Sequence, residues 1–350
     1  MKHRFSALDG FRGVCALTVL LFHFLPNTPV GFRHGYLSVD VFFVLSGFVL
    51  AFAFGDKLDA GMSLSTFVGA RVRRLGPVLL LGSFLSGAAA FFVAGHLSVV
   101  LVVDILRSVL LIPVTRPGIT EAFPLNGAFW SLFAEFWVNV AFGAVAARLK
   151  PASLTACIVA AYVVLITISV RAGTVTFGTT PSSIYYSIFR AAPSFLMGVL
   201  IFKLWRSGYL SRLPSMSPVL VFAIWLVVVV IPPLPVANLF YDLVQVIIVA
   251  PILIALLARS EGATPPWALW LGRVSYPLYA THIAVHALGM HLFSHNGQIA
   301  VVARLSLIAA SLVLAEVVAR WYEPAMFELL AYHRPAHARS DVRGRVREQL

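Results

Sequence analysis

The chain has 350 residues, of which 60% are hydrophobic and only 11% charged. Soluble globular domains carry roughly 25% charged residues, so too few polar side chains are present to cover a water-facing surface, and the composition predicts an all-α polytopic membrane protein. The net charge of +12 would suit nucleic acid if it were concentrated on one soluble face. Instead it is dispersed between apolar runs, and no nucleic-acid partner is expected.

Apolar runs predict about ten spans, near 11–27, 37–54, 75–95, 127–147, 153–171, 184–203, 217–231, 238–257, 274–293 and 298–319. With the N-terminus in the cytoplasm, all but six of the 26 Lys and Arg residues fall on the cytoplasmic side. The exceptions are Arg33, Arg107, Arg116, Arg171, Arg190 and Arg304. This asymmetry predicts cytoplasmic N- and C-termini by the positive-inside rule. Residues 1–332 then form one transmembrane domain, and 333–350 a basic cytoplasmic tail suited to anionic headgroups of the membrane lipids. Cys15 and Cys157 both sit in apolar runs and imply no disulfide framework.

The first run, "LDGFRGVCALTVLLFHF", follows basic residues like a signal peptide, but Arg12 interrupts it, no small-x-small site follows, and a second span begins soon after. It is expected to stay in the mature chain. Arg12 and His23 are eleven residues apart, which is roughly 20° past three full turns, so both project from one face. Along the axis they are about 16 Å apart and cannot bond each other. They suit the two ends of one extended ligand. The plainer alternative is that Arg12 snorkels to headgroups and His23 sits in the interface.

In "SVDVFFVLSGF", Asp40 lies at the end of span two level with His23. A carboxylate there could orient the imidazole for general-base work, or simply cap the helix. Ser46 and Gly47 would let helices approach closely. "RVRRLGP" places Arg71, Arg73 and Arg74 at the cytoplasmic mouth of span three, where guanidinium groups suit phosphates or merely anchor topology. The stretch His96 to Asn126 is apolar in part, with Asp104 and Arg107 on one helical face. It predicts a re-entrant or interfacial helix in the outer loop after span three, covering a cavity.

"WSLFAEFW" puts Glu135 about one turn into span four. An intramembrane glutamate is functional by default, though it could pair structurally with an arginine such as Arg190. Trp130 and Trp137 beside it could form aromatic platforms for a sugar. In "SYPLYATHIAVH", Tyr279, His282 and His286 form one polar stripe. His282 and His286 have the spacing of a metal pair but lack the intervening glutamate of a zinc motif, so no metal is expected.

Five motifs in this order, "LDGFRG…FHF", "SVDVFFVLSGF", "RVRRLGP", "WSLFAEF" and "SYPLYATH", resemble the signatures of the acyltransferase-3 family of integral-membrane acyltransferases, from about Leu8 to Glu323. One departure is Phe136 after Glu135, where many members carry a second acid or glutamine. The resemblance implies a protein of the bacterial inner membrane. Its implied activity is transfer of an acyl group, usually acetyl from acetyl-CoA, to a hydroxyl of a carbohydrate or glycolipid acceptor. It matches Arg12 and His23 to the family's Arg-x10-His pair, and Arg71 and Arg74 to its Arg-x-x-Arg pair. The expectation is therefore that Arg12, Arg71, Arg73 and Arg74 bind acyl-CoA and that His23, Asp40 and Glu135 carry the chemistry. Trp130, Tyr279 and His282 would bind the acceptor in an outer-facing cavity. A different class, a proton-coupled transporter using His23, Asp40 and Glu135, would explain the buried ionisable groups but not the arginine cluster.

Overall fold

The computed structural model describes residues 5–26, 31–116, 118–234, 237–295 and 298–332. The expected basic tail lies outside the described residues. Thirteen α-helices are described: α1 (Ser6–Phe24), α2 (Ser38–Asp59), α3 (Leu64–Ala94), α4 (Val99–Val109), α5 (Phe129–Val145), α6 (Pro151–Ala172), α7 (Tyr186–Arg206), α8 (Pro218–Val230), α9 (Asn238–Val244), α10 (Ala250–Arg259), α11 (Pro266–Phe293), α12 (Val301–Val317) and α13 (Glu323–Tyr332). A π-helical turn, Gln245–Val249, joins α9 to α10, and another, Val318–Tyr322, joins α12 to α13. The sole strands among the described residues are a two-residue antiparallel hairpin, Ser294–His295 with Gln298–Ile299.

Local sequence sets several boundaries. Ser63 accepts from the backbone N–H of Thr66 at the start of α3, and Gly95 closes that helix at φ 72°, a left-handed cap that glycine adopts without Cβ strain. Proline opens α6, α8 and α11, where its missing N–H costs nothing.

Seven described helical segments are long and apolar enough to cross a membrane: Ser6–Phe24, Gly35–Asp59, Leu64–Ala94, Pro151–Ala172, Tyr186–Arg206, Asn238–Arg259 and Val301–Leu330. The expected spans four and seven appear as the shorter apolar helices Phe129–Val145 and Pro218–Val230. The expected span nine is the 28-residue α11, which is diluted by Arg273, His282, His286 and His291. The protein is thus a polytopic helical membrane protein.

The predicted loop helix is α4. Its eleven residues reach only about 16 Å at 1.5 Å per residue, too short for a roughly 30 Å hydrocarbon core. Arg116 grips its buried Asp104 at 3.1 and 2.7 Å, and Arg107 approaches to 3.9 Å. Ile105 seats against Gly87 of α3. The helix covers no part of the cavity described below, which corrects that expectation: its docking surface is α3.

Two backbone-to-backbone contacts organise the centre. A Cβ on Gly13 would overlap the backbone of Leu271 and Gly272, and one on Gly272 would overlap the carbonyl of Asp9, so α1 and α11 touch along their axes. Likewise a Cβ on Gly47 would overlap the Phe195 carbonyl, and one on Gly198 the Val44 carbonyl, which joins α2 to α7. Small residues are what permit such approach between membrane helices. The first contact aligns the Arg12–His23 face of α1 with the Ser275–His282 face of α11.

Candidate active site

A cavity of about 190 Å³ lies between α1, α2, α3, α5 and α11. Five of the ten expected site residues line it: Arg12, Arg71, Arg74, Glu135 and Tyr279. It opens at the arginine end. There the side chains of Asp9, Arg12 and Arg74 are 34%, 36% and 43% exposed, whereas those of Arg71 and Glu135 further in are 13% and 17% exposed. Its far end is walled by Phe42, Leu132, Ser131 and Tyr279.

Each arginine is held by a specific partner. Arg12 donates from Nε to Ser275 Oγ at 3.0 Å and from Nη2 to the Gly272 carbonyl at 3.1 Å, and pairs with Asp9 at 3.3 Å. These bonds fix its fork against α11. Arg71 pairs with Glu135 at 3.3 Å, and Ser46 donates to the same carboxylate oxygen at 2.7 Å. Among the described residues the buried Nε of Arg71 finds no hydrogen-bond partner. Arg74 pairs with Glu323 and lies over the Phe327 ring at 5.7 Å. Arg73 is exposed and does not line the cavity.

Behind the far wall is an imidazole pair. His23 Nδ1 lies 2.9 Å from the Val19 carbonyl, and His282 Nδ1 lies 2.9 Å from that of Tyr279. A carbonyl can only accept, so both neutral rings carry their proton on Nδ1. His282 Nε2, at 3.3 Å from His23 Nδ1, is then an acceptor, and His23 Nε2 keeps its lone pair. His282 is buried and His23 half-buried. The shared face expected for Arg12 and His23 is present, since both side chains reach α11.

Several expected placements differ. Asp40 does not orient His23; it forms a bidentate pair with Arg190 at 3.0 and 2.6 Å, and both side chains are almost wholly shielded. A buried carboxylate must find a full charge partner, and Arg190 of α7 supplies one where an imidazole would not. Trp130 is not a sugar platform on the cavity, because its ring lies under the Arg190 guanidinium at 5.1 Å. Glu135 does not share an outer-facing cavity with Asp40, since its partner is Arg71, at the mouth of α3. Trp137 is exposed on α5.

Sequence reading missed the roles of several side chains. Ser46 and Ser275 hold Glu135 and Arg12, but a serine in an apolar run carries no distinguishing signal. Asn126 donates to Ser86 at 3.1 Å and to the Ala280 carbonyl at 2.9 Å, pinning the loop before α5 to α3 and α11. Tyr276 donates to the Leu75 carbonyl at 2.7 Å.

The sequence profile of an acyltransferase domain family, Acyl_transf_3, matches residues 5–320. The chain belongs to that family. Among curated relatives, the protein called "Protein 2 in picA locus" of Rhizobium radiobacter is 36% identical, over 41% of this chain and 84% of the relative. No solved structure matches. In this acyltransferase, Arg12 and His23 lie towards opposite ends of α1, with the cavity starting at the arginine end.

Proposed function

We propose that the protein moves an acyl group, acetyl in the simplest case, from cytoplasmic acyl-CoA to a hydroxyl of a carbohydrate or glycolipid at the bacterial inner membrane. The observation that carries this reading is the arginine-mouthed cavity ending one aromatic layer short of the His23–His282 pair. The orientation, with both termini in the cytoplasm, rests on the asymmetry of Lys and Arg.

Arg12, Arg71 and Arg74 take the phosphates of the donor, for which forked guanidinium donors are suited. Glu135 keeps Arg71 in place. At the other end, His23 Nε2 removes the acceptor's hydroxyl proton as that oxygen attacks the thioester carbonyl. The carbon–sulfur bond breaks, and the imidazolium returns the proton to the departing thiolate. His282 is a positioning residue: its Nε2 accepts from His23 Nδ1–H, a bond that strengthens when the His23 ring is protonated because its N–H becomes a better donor. Covalent transfer through His23 would use the same lone pair as nucleophile.

The test is mass analysis of surface glycans from cells carrying the wild-type gene, the His23→Ala gene or none. Acyl substituents that depend on wild-type protein and vanish with His23→Ala support the proposal. Identical glycans in all three strains reject it.

A further inference from the structure

Phe42 and Tyr279 stand at the end of the cavity nearest the imidazole pair, Tyr279 against His282 and Phe42 against Tyr279. Phe42 lines the cavity at the end away from the arginines. It also packs against both hydrophobic cores, the large one around α2 and α7 and the smaller one around Leu20, Phe24 and Leu278. Its ring meets that of Tyr279 edge to face, with centroids 5.6 Å apart and planes at 88°. Tyr279 itself cannot turn aside freely. Its hydroxyl is 2.5 Å from Ser131 Oγ and donates within 3.2 Å of the Ala128 carbonyl. Its ring lies 5.9 Å from that of His282, which in turn lies 5.0 Å from that of His23.

The wall therefore has a fixed half and a movable half. Tyr279 is bonded to α5 through its polar tip. Phe42 has no polar tip and is half-buried, so rotation about its side-chain bonds breaks no hydrogen bond. We propose that Phe42 is the acyl-chain selector of this enzyme: its ring closes the donor cavity, turns aside to admit a short acyl group to His23, and excludes longer ones. The volume agrees with this. About 190 Å³ is below the roughly 300–1,000 Å³ of pockets that enclose a whole drug-sized ligand, so the cavity accepts the tip of an extended donor and offers little room beyond the thioester. This inference rests on the acyl-CoA reading above and adds the chain length to it.

The experiment measures binding of acetyl-CoA, butyryl-CoA and hexanoyl-CoA to purified full-length protein in lipid nanodiscs, for wild type, Phe42→Leu and Phe42→Ala. Wild type should bind acetyl-CoA at least about fivefold more tightly than hexanoyl-CoA. Phe42→Ala should level or reverse that order, and Phe42→Leu, which keeps an apolar core side chain, should fall between them. Monodisperse elution with retained acetyl-CoA binding establishes that a variant is folded. Should Phe42→Ala not fold, Phe42→Leu alone decides the matter through its butyryl-to-acetyl ratio. Wild type that binds acetyl-CoA, with a chain-length order unchanged in the variants, overturns the selector and leaves the donor reading standing. Wild type that binds none of the three thioesters overturns both.

Discussion

Asp40 on α2 and Arg190 on α7 form a two-pronged ion pair, at 3.0 and 2.6 Å, with both side chains shielded from solvent. The Arg190 guanidinium also covers the Trp130 ring and reaches the Tyr36 carbonyl at 3.5 Å. Removing one partner strands the other charge, which typically costs about 3–5 kcal/mol. Asp40→Ala and Arg190→Ala should each lower the thermal midpoint in detergent sharply and reduce the folded yield. An Asp40→Asn protein with wild-type stability and no transfer activity would return Asp40 to the chemistry.

The arginine mouth gives a second expectation. Charge-assisted hydrogen bonds contribute about 1.5–3 kcal/mol each, so Arg71→Ala with Arg74→Ala should weaken acyl-CoA binding at least tenfold. Lysine at both sites should restore part of that loss, because the point charge returns without the fork. Equal binding by the double alanine variant would reduce these residues to topological anchors. Titration calorimetry in nanodiscs reads the difference.

Arg74 is held by Glu323, whose carboxylate occupies the guanidinium that the donor's phosphate would use. Partly exposed ion pairs are worth about 0–1 kcal/mol, and Arg74 is 43% exposed. Glu323→Gln should therefore tighten acyl-CoA binding by up to about fivefold. Weaker binding in this variant would make Glu323 a support for Arg74 and not its competitor.

The glycine contacts are testable through stability alone. Gly13→Ala must push α1 away from Leu271 of α11, and Gly47→Ala must push α2 away from Phe195 of α7. Both should lower folded yield. Gly55→Ala meets nothing within 4 Å and, on helix propensity, should stabilise by up to about 1 kcal/mol. Thermal unfolding of the three variants, followed by size-exclusion elution, checks the contrast.

Much of this arrangement was legible in the sequence because helical periodicity is local. The shared face of Arg12 and His23, the arginine cluster of α3, the Tyr279–His282 stripe and the short helix after α3 all follow from spacing. Partner choice was not legible. Asp40 was expected level with His23, but Ser38 meets Thr18 at 2.6 Å, which sets Asp40 deeper along α1, and its charge partner lies 150 residues downstream, in Arg190. Glu135, for which the sequence suggested an arginine such as Arg190, pairs instead with Arg71 where α3 packs against α5. Close helix contacts underlie both outcomes: Gly47 and Gly198 let α2 meet α7, and Gly143 of α5 seats against Phe67 of α3.

The central claim is that His23 carries the chemistry while the arginines hold the donor. The direct measurement pairs a transfer assay with a separate acyl-CoA binding assay on His23→Ala in lipid. The acyl acceptor for the first is surface glycan extracted from cells lacking the gene. Loss of a general base typically lowers rate by about 10²–10⁴-fold, so transfer should fall by at least that much while donor affinity changes less than about twofold. His282→Ala should lose less, since His23 keeps its bond to the Val19 carbonyl. A His23→Ala protein that retains more than about a tenth of wild-type transfer, well short of the usual general-base loss, would contradict the claim and place the base elsewhere.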